Sequence, residues 1–412
     1  MMDNTVSKQG KYTLVITEKN DIIYYGYFFD GDPVELYCEK KQSDSLLGNI
    51  YAARVERVAE GINGAFLEIG NGEKCYFSTT KKTQPVKLSP GHEDRLYGGD
   101  IILVQIVKDA VKTKLPAADG NISLAGKYFV LTLSDKRSGV SKKIKDKEER
   151  ERLSELLTPF LSDNYGIVVR TNAERMDTSV LEEELRMLTA RYEELMRKAR
   201  IASGKTLLYK DPSHYITFAQ DLPKDKLDEI ITDKQDIYEE LNGYFQSHGD
   251  EDNRAKTVFY QDDYSLFQLY RLEHHFEKAR EKLVWLKSGG SIVIEQTEAM
   301  VVVDVNTGCV MKNRKQADDL FFRMNCEAAA EIARQLRLRN LSGIIIIDFI
   351  NMKNKKHQEE LLHLLQEECA KDRVATRVID MTGLHLVEMT RSKVRRPLHE
   401  QWKVAHGQEK RN

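Results

Sequence analysis

The chain has 412 residues, of which 31% are charged and 8% aromatic, and its formal net charge is −2. That length supports two to four domains with several cores in a water-soluble, globular protein. It excludes a nucleic-acid binder that is basic throughout and leaves room only for local basic patches. No apolar run approaches bilayer-spanning length, so no membrane partner is expected, and the polar start from Met1 to Tyr12 lacks the core of a signal peptide. Cys38, Cys75, Cys309, Cys326 and Cys369 form no C-x-x-C pair and have no histidine at finger spacing. Neither a zinc site nor a disulfide framework is expected, and the thiols read as reduced and cytoplasmic.

In chain order, Tyr12–Ile16, Ile22–Phe28 and Val34–Tyr37 alternate apolar and polar residues between the turn residues Asn20-Asp21 and Asp30-Gly31-Asp32-Pro33. They predict an antiparallel meander. Leu47–Val58, Gly64–Gly70, Lys74–Phe77 and Gly98–Lys108 are short strands with glycine-rich turns, a pattern that resembles an S1-type OB-fold barrel. Such barrels hold single strands on aromatic platforms in a cationic groove, and Phe66, Tyr76 and Lys114 would serve here. On local grounds alone barrel core is the better reading of Phe66 and Tyr76. Pro85–Tyr97, with Pro90-Gly91-His92, reads as a loop, and Lys108–Asn121 as a polar connector. Ser123–Leu133 is read as one strand, Asp146–Leu157 as a charged helix and Tyr165–Thr171 as a strand. That strand delivers Arg170 and Thr171 at its end. A guanidinium beside a hydroxyl suits a phosphate, although a surface ion pair is as good a local reading. Leu181, Leu185, Leu188, Tyr192 and Leu195 mark one face of a helix over 180–199.

Strands are also expected at Tyr215–Phe218, Glu229–Thr232, Tyr264–Phe267, Leu283–Leu286 and Ser291–Glu295. Two valine- and isoleucine-rich stretches then share one design: Val301-Val302-Val303-Asp304-Val305-Asn306-Thr307-Gly308 and Gly343-Ile344-Ile345-Ile346-Ile347-Asp348-Phe349-Ile350-Asn351. Each reads as a buried strand whose end presents polar groups. If the strands are neighbours, Asp304, Asn306 and Asp348 converge at one sheet end as hard oxygen ligands of the kind Mg²⁺ takes. Taken singly, each motif is more often a turn former or helix cap, and the pairing of the two is what favours a site. A helix over 316–340, a second over 357–370 and a strand at 377–380 complete an α/β layer. Lysine and arginine clusters at 334–339, 353–356 and 391–396 suggest a polyanionic substrate beside the carboxylates, or solvated faces. No G-x-x-x-x-G-K-[ST] phosphate loop is present.

Several of these stretches together resemble the ribonuclease E/G family. They are Gly48-Asn49-Ile50-Tyr51, Gly64-Ala65-Phe66, Ser123-Leu124-Ala125-Gly126, Ile167–Thr171, Ser288–Ile294, Asp304-Val305-Asn306-Thr307, Asn325–Leu338, Ile346–Ile350 and Leu386–Arg391. The resemblance implies an α+β and α/β multidomain chain. An RNase H-like subdomain (1–44 and 214–284) would be interrupted by an S1 domain (45–121) and a 5′-sensor region (122–213). A DNase I-like catalytic subdomain (285–400) and a polar tail (401–412) would follow.

The same resemblance implies an Mg²⁺-dependent endoribonuclease acting on single-stranded RNA in ribosomal and messenger RNA processing and decay. Asp304 and Asp348 would hold the metal, and Asn306 would orient the scissile phosphate. Gly126, Val130, Lys142, Arg170 and Thr171 would receive a 5′-monophosphate, and Phe66, Tyr76 and Lys114 would hold RNA on the barrel. A non-catalytic S1-type RNA-binding protein is the alternative. The chain departs from the family pattern in four places. No C-x-x-C follows Arg391, which leaves a homodimer open but makes a zinc-linked assembly unexpected. Ala52 stands where lysine is usual, Lys142 where a sensor arginine is usual and His385 where glycine is usual.

Overall fold

In a computed structural model the described residues are 10–41, 46–70, 72–79, 85–89, 95–110, 114–247, 250–308 and 314–407. They group into two compact units. One comprises Met1–Ser43, Asp225–Glu239 and Lys256–Lys410, and the other Asp44–Lys224 and Glu240–Ala255. Pro90-Gly91-His92 and Cys309 lie outside the described residues.

The first unit holds two sheets. A five-stranded sheet has the order Thr257–Phe259, Glu229–Thr232, Tyr12–Lys19, Ile22–Phe29, Asp32–Lys40. Its last three strands are the expected meander. The first two join it in parallel from far along the chain, so this sheet is split in sequence. A six-stranded sheet has the order Leu283–Trp285, Ser291–Gln296, Met300–Asn306, Gly343–Asp348, Leu386–Arg391, Thr376–Met381. Met300–Asn306 and Gly343–Asp348 run parallel, joined by the crossover helix Arg314–Leu338. The helix Lys355–Ala370 packs beside it. Both helices share one core with Ile292, Val301, Val303, Val305, Ile345, Ile347, Val387 and Met389.

In the second unit, Ile50–Ala59, Gly64–Gly70, Glu73–Ser78, Ala117–Asp119 and Ile101–Lys108 form a barrel, closed where the first strand pairs with the last. Leu67, Ile69, Cys75, Phe77, Ile102 and Val104 fill it. A four-stranded sheet, Gly139–Val140, Gly166–Val169, Phe129–Thr132, Ser123–Ala125, packs on Leu181, Leu185, Leu188 and Leu195 of helix Thr178–Ile201. The fold class is thus mixed α/β and multidomain with an OB-like barrel.

Several expected elements differ. Tyr215–Phe218 is not a strand but part of the helix His214–Asp221, because Tyr215, Ile216, Phe218 and Ala219 are buried together, a helical stripe rather than an alternation. Tyr264–Phe267 is not extended either. Ser265 accepts from the Gln268 N–H and starts the helical turn Leu266–Leu269. Ser123–Leu133 is broken by a turn closed by the Gly126 N–H on the Phe129 carbonyl. The connector 108–121 contains the barrel strand Ala117–Asp119. The expected polar tail from 401 instead begins inside the helix Leu398–Ala405, whose Trp402 packs on Phe276 and His406.

Candidate active site

Asp304 and Asp348 are direct cross-strand partners in the parallel pairing, and the ladder continues through Val303–Ile347 and Val302–Ile346. Parallel neighbours lie about 4.8 Å apart, close enough for two carboxylates to share one ion. Strict alternation sets the direction of the side chains. Val301, Val303 and Val305 point into the helix-covered core, so Val302, Asp304 and Asn306 point the other way. The expected buried strands are buried on one face only. Both helices cover one face, and the other is open, with Val302 37% and Ile344 50% exposed. The Asn306 side-chain amide donates to Asp304 Oδ2 at 2.8 Å. That bond fixes the Asp304 carboxylate and leaves its Oδ1 and the Asn306 amide oxygen for a ligand.

The strand ends are held by groups that the sequence reading passed over. Asn325, fully buried on the crossover helix, donates to the Ile350 carbonyl at 2.7 Å and accepts from the Ile350 N–H at 3.0 Å. It thereby clamps the chain two residues after Asp348. Glu327 on the same helix accepts from the Lys287 N–H at 2.6 Å and from Ser288 N–H at 3.2 Å, pinning the 286–290 turn. The backbone approaches closely here: a Cβ on Gly290 would meet the Asn306 carbonyl at 2.9 Å, and one on Gly308 the Gly289 carbonyl at 2.1 Å. The signal for Asn325 was legible as a polar residue on the apolar face of a helix.

The basic clusters divide. The crossover helix runs back from the Asp304 end, so Arg334, Arg337 and Arg339 sit at the opposite sheet edge. Arg334 pairs with Glu331 at 2.7 Å and Arg337 donates to the Glu368 carbonyl at 3.1 Å. Arg339 is buried and bonds Gln335. Arg391 is 2% exposed. It pairs with Asp372 at 2.8 Å and donates to Asn340 Oδ1 and the Leu341 carbonyl. Its Cα partner is Gly343, at the far end of the strand from Asp348, about 17 Å away. These arginines are structural, and the expected substrate patch at 334–339 and 391 is corrected. Lys353, Lys355 and Lys356, by contrast, are exposed and directly follow the Asp348 strand. His357 lies there too, stacked on Phe322 with ring centroids 4.4 Å apart and with Nδ1 3.6 Å from Asp318.

On the barrel, Phe66 and Tyr76 are cross-strand partners, half-buried and edge to face at 6.1 Å. They stand outside the barrel core, with the Arg57 guanidinium over Phe66 at 4.6 Å. The Tyr76 hydroxyl donates to the Ile62 carbonyl at 3.0 Å. Lys114 is exposed. In the four-stranded sheet, Gly126 and Val130 flank one turn. Arg170 Nη1 donates to the Gly126 carbonyl at 2.6 Å and pairs with Asp221 at 2.8 Å. With Nη1 so engaged, the Nε and Nη2 edge is left. Thr171 and Lys142 are exposed. A Cβ on Gly126 would strike Glu184, whose carboxylate accepts from the N–H groups of Lys127, Tyr128 and Phe129. Burial pushes the Glu184 carboxyl up despite those three donors.

Among the described residues no group of three or more His, Cys, Asp or Glu side chains could hold a metal. Asp304, Asp348 and the Asn306 amide oxygen are hard oxygen donors, a set suited to a divalent cation that keeps several of its waters. Among the described residues, burial disfavours the thiolate form that would bind a metal. Burial pushes Cys75 up to about 12 and Cys369 up to about 11. Among the described residues no helix is long and apolar enough to cross a membrane.

The model of the Ribonuclease E/G family matches residues 123–394. The chain is 34% identical over 379 residues to a protein named Ribonuclease G from Escherichia coli, covering 90% of this chain and 77% of that one. A Ribonuclease G from Haemophilus influenzae is 32% identical over 374 residues, covering 88% and 76%. A Ribonuclease E from Nostoc sp. is 31% identical over 359 residues, covering 86% of this chain but 52% of its own length.

Proposed function

Because the chain belongs to the ribonuclease E/G family, we propose that it is an Mg²⁺-dependent endoribonuclease that cuts single-stranded RNA and favours 5′-monophosphorylated ends. The setting is ribosomal and messenger RNA processing and decay in the cytoplasm. The observation that carries this reading is the in-register pair Asp304–Asp348 on an open sheet face.

Asp304 and Asp348 would hold the ion between them. When bound, Mg²⁺ supplies charge neutralisation at a phosphoryl oxygen and acidifies a bound water. The chain's own groups do the rest. Asn306 keeps the Asp304 carboxylate oriented and offers its amide oxygen outward. The exposed Lys353, Lys355 and Lys356 lie along the same edge and attract the strand's phosphates. Water attacks phosphorus in line, the bond to the 3′ oxygen breaks, and that oxygen leaves as a hydroxyl. The products carry 5′-phosphate and 3′-hydroxyl ends.

The split five-stranded sheet would be the RNase H-like subdomain (1–44 and 214–284), the barrel the S1 domain (45–121), and the six-stranded sheet the DNase I-like catalytic subdomain (285–400). The four-stranded sheet would be the 5′ sensor (122–213). There the open Nε–Nη2 edge of Arg170 and the Thr171 hydroxyl would take the 5′-phosphate, with Lys142 adding charge and Gly126 and Val130 lining the pocket. Phe66, Tyr76 and Lys114 would hold RNA on the barrel.

The test is cleavage of a 5′-monophosphorylated single-stranded RNA. Asp304→Asn and Asp348→Asn are each expected to lose at least about a hundredfold in kcat. EDTA is expected to stop cutting but spare binding. Wild-type rates in both variants would remove the proposed ligands and leave the non-catalytic RNA-binding reading. Arg170→Ala is expected to equalise rates on 5′-monophosphate and 5′-hydroxyl RNA by slowing only the former. An unchanged ratio would refute the sensor.

A further inference from the structure

The chain has two tryptophans, and they are placed differently. Trp402 is packed against Phe276 and His406, with Arg280 over its ring. Trp285 is 70% exposed on the edge strand of the six-stranded sheet. Among the described residues no ring stacks on it. A large apolar ring held open to solvent on a rigid strand is costly to leave bare and suited to a flat partner.

Its position is set by register. Trp285 pairs with Ser291, and Ser291 pairs with Asn306. Directly opposed residues of antiparallel strands share a face, so the indole stands on the open face that carries Asp304, Asn306 and Asp348. The neighbouring row holds Leu283, Val293, Asp304 and Asp348 in the same sense. Two ladder steps put the Trp285 and Asn306 backbones about 10 Å apart. Only the small Ser291 side chain stands between them in that row. The strand's end is pinned, since Glu327 holds the Lys287 and Ser288 N–H groups. The ring is therefore presented from a fixed backbone rather than a loop.

We propose that Trp285 is a stacking platform for a base of the single-stranded RNA next to the phosphate held at Asp304, Asn306 and Asp348. This rests on the nuclease reading of that site. Every base has a π face, so the platform would add affinity without sequence preference. It would also require the base to be unpaired, which makes it a specificity element for single strands at the point of cutting.

Two measurements test this. In the first, Trp285→Ala is expected to raise KM about tenfold on single-stranded RNA with little change in kcat, and Trp285→Phe to restore most of the affinity. In the second, Trp285 is the sole indole of a Trp402→Phe chain kept from cutting by EDTA, which spares binding. Its emission is expected to be quenched by single-stranded RNA and not by duplex of equal length. An unchanged KM in Trp285→Ala, or no quenching, overturns the platform. So does a Trp285→Ala change in sedimentation with emission unmoved by RNA, which would mean that a second copy of the chain covers the ring. If Asp304→Asn is inactive while either Trp285 test fails, only the platform is lost. If Asp304→Asn cuts at the wild-type rate, the nuclease reading itself falls.

Discussion

Among single residues, the sequence pointed correctly to Asp304, Asn306 and Asp348 as neighbours because each stands at the end of an apolar run, and two such runs can meet at one sheet edge. The two runs pair in parallel and in register, with the helix Arg314–Leu338 as their crossover. Arg391 was misread for an equally physical reason. A basic residue in a run with Lys393, Arg395 and Arg396 looks solvent-facing, yet among the described residues it is one of the largest fully buried side chains, held by Asp372, Asn340 and Leu341. Burial of a charge is decided by a partner distant in sequence, which composition does not reveal. Asp372→Asn is expected to destabilise the chain by about 3–5 kcal/mol in urea unfolding, because it strands a buried guanidinium. A loss under about 1 kcal/mol would show the pair to be dispensable.

Elements were legible where periodicity was long and clean. The helix Thr178–Ile201 buries the leucines that marked it, and the meander forms as read. Short segments failed where tertiary packing overrode local pattern. Tyr215–Phe218 is apolar enough for a strand, but its burial stripe belongs to a helix. Ala117–Asp119 is too short to announce itself and is a strand because the barrel needs it to close. The helix Arg314–Leu338 does more than cross over, since Asn325 and Glu327 brace both ends of the candidate site. Asn325→Ala leaves the Ile350 N–H and carbonyl unpaired and is expected to cost about 2–3 kcal/mol. It is also expected to lower kcat by loosening Asp348, although Asn325 is bonded elsewhere. Stability lost with kcat unchanged would confine Asn325 to a packing role.

At the scale of the molecule, the split sheet was legible only through the family resemblance. Nothing local in Glu229–Thr232 says that its partner is Tyr12–Lys19. Within that unit Glu35 is tied to Arg373 through two hydrogen bonds, at 3.0 and 3.1 Å. Burial alone would raise the Glu35 carboxyl, but the Arg373 charge and the Tyr37 hydroxyl outweigh it and hold the group below the usual glutamate range. A depressed folded value adds stability that is complete above the unfolded value, about 4.3, and is lost as pH falls through the folded one. The difference in stability between the native chain and Glu35→Gln is therefore expected to shrink on acidification below about pH 4.3. A difference independent of pH would contradict the pairing. The most direct test of the central claim is the stoichiometry of Mn²⁺, as a stand-in for Mg²⁺, bound by the native chain, Asp304→Asn and Asp348→Asn in equilibrium titrations. One tight site per chain, abolished by either substitution, is the expected result; a site that survives both, or independent sites lost one at a time, would contradict a shared ion.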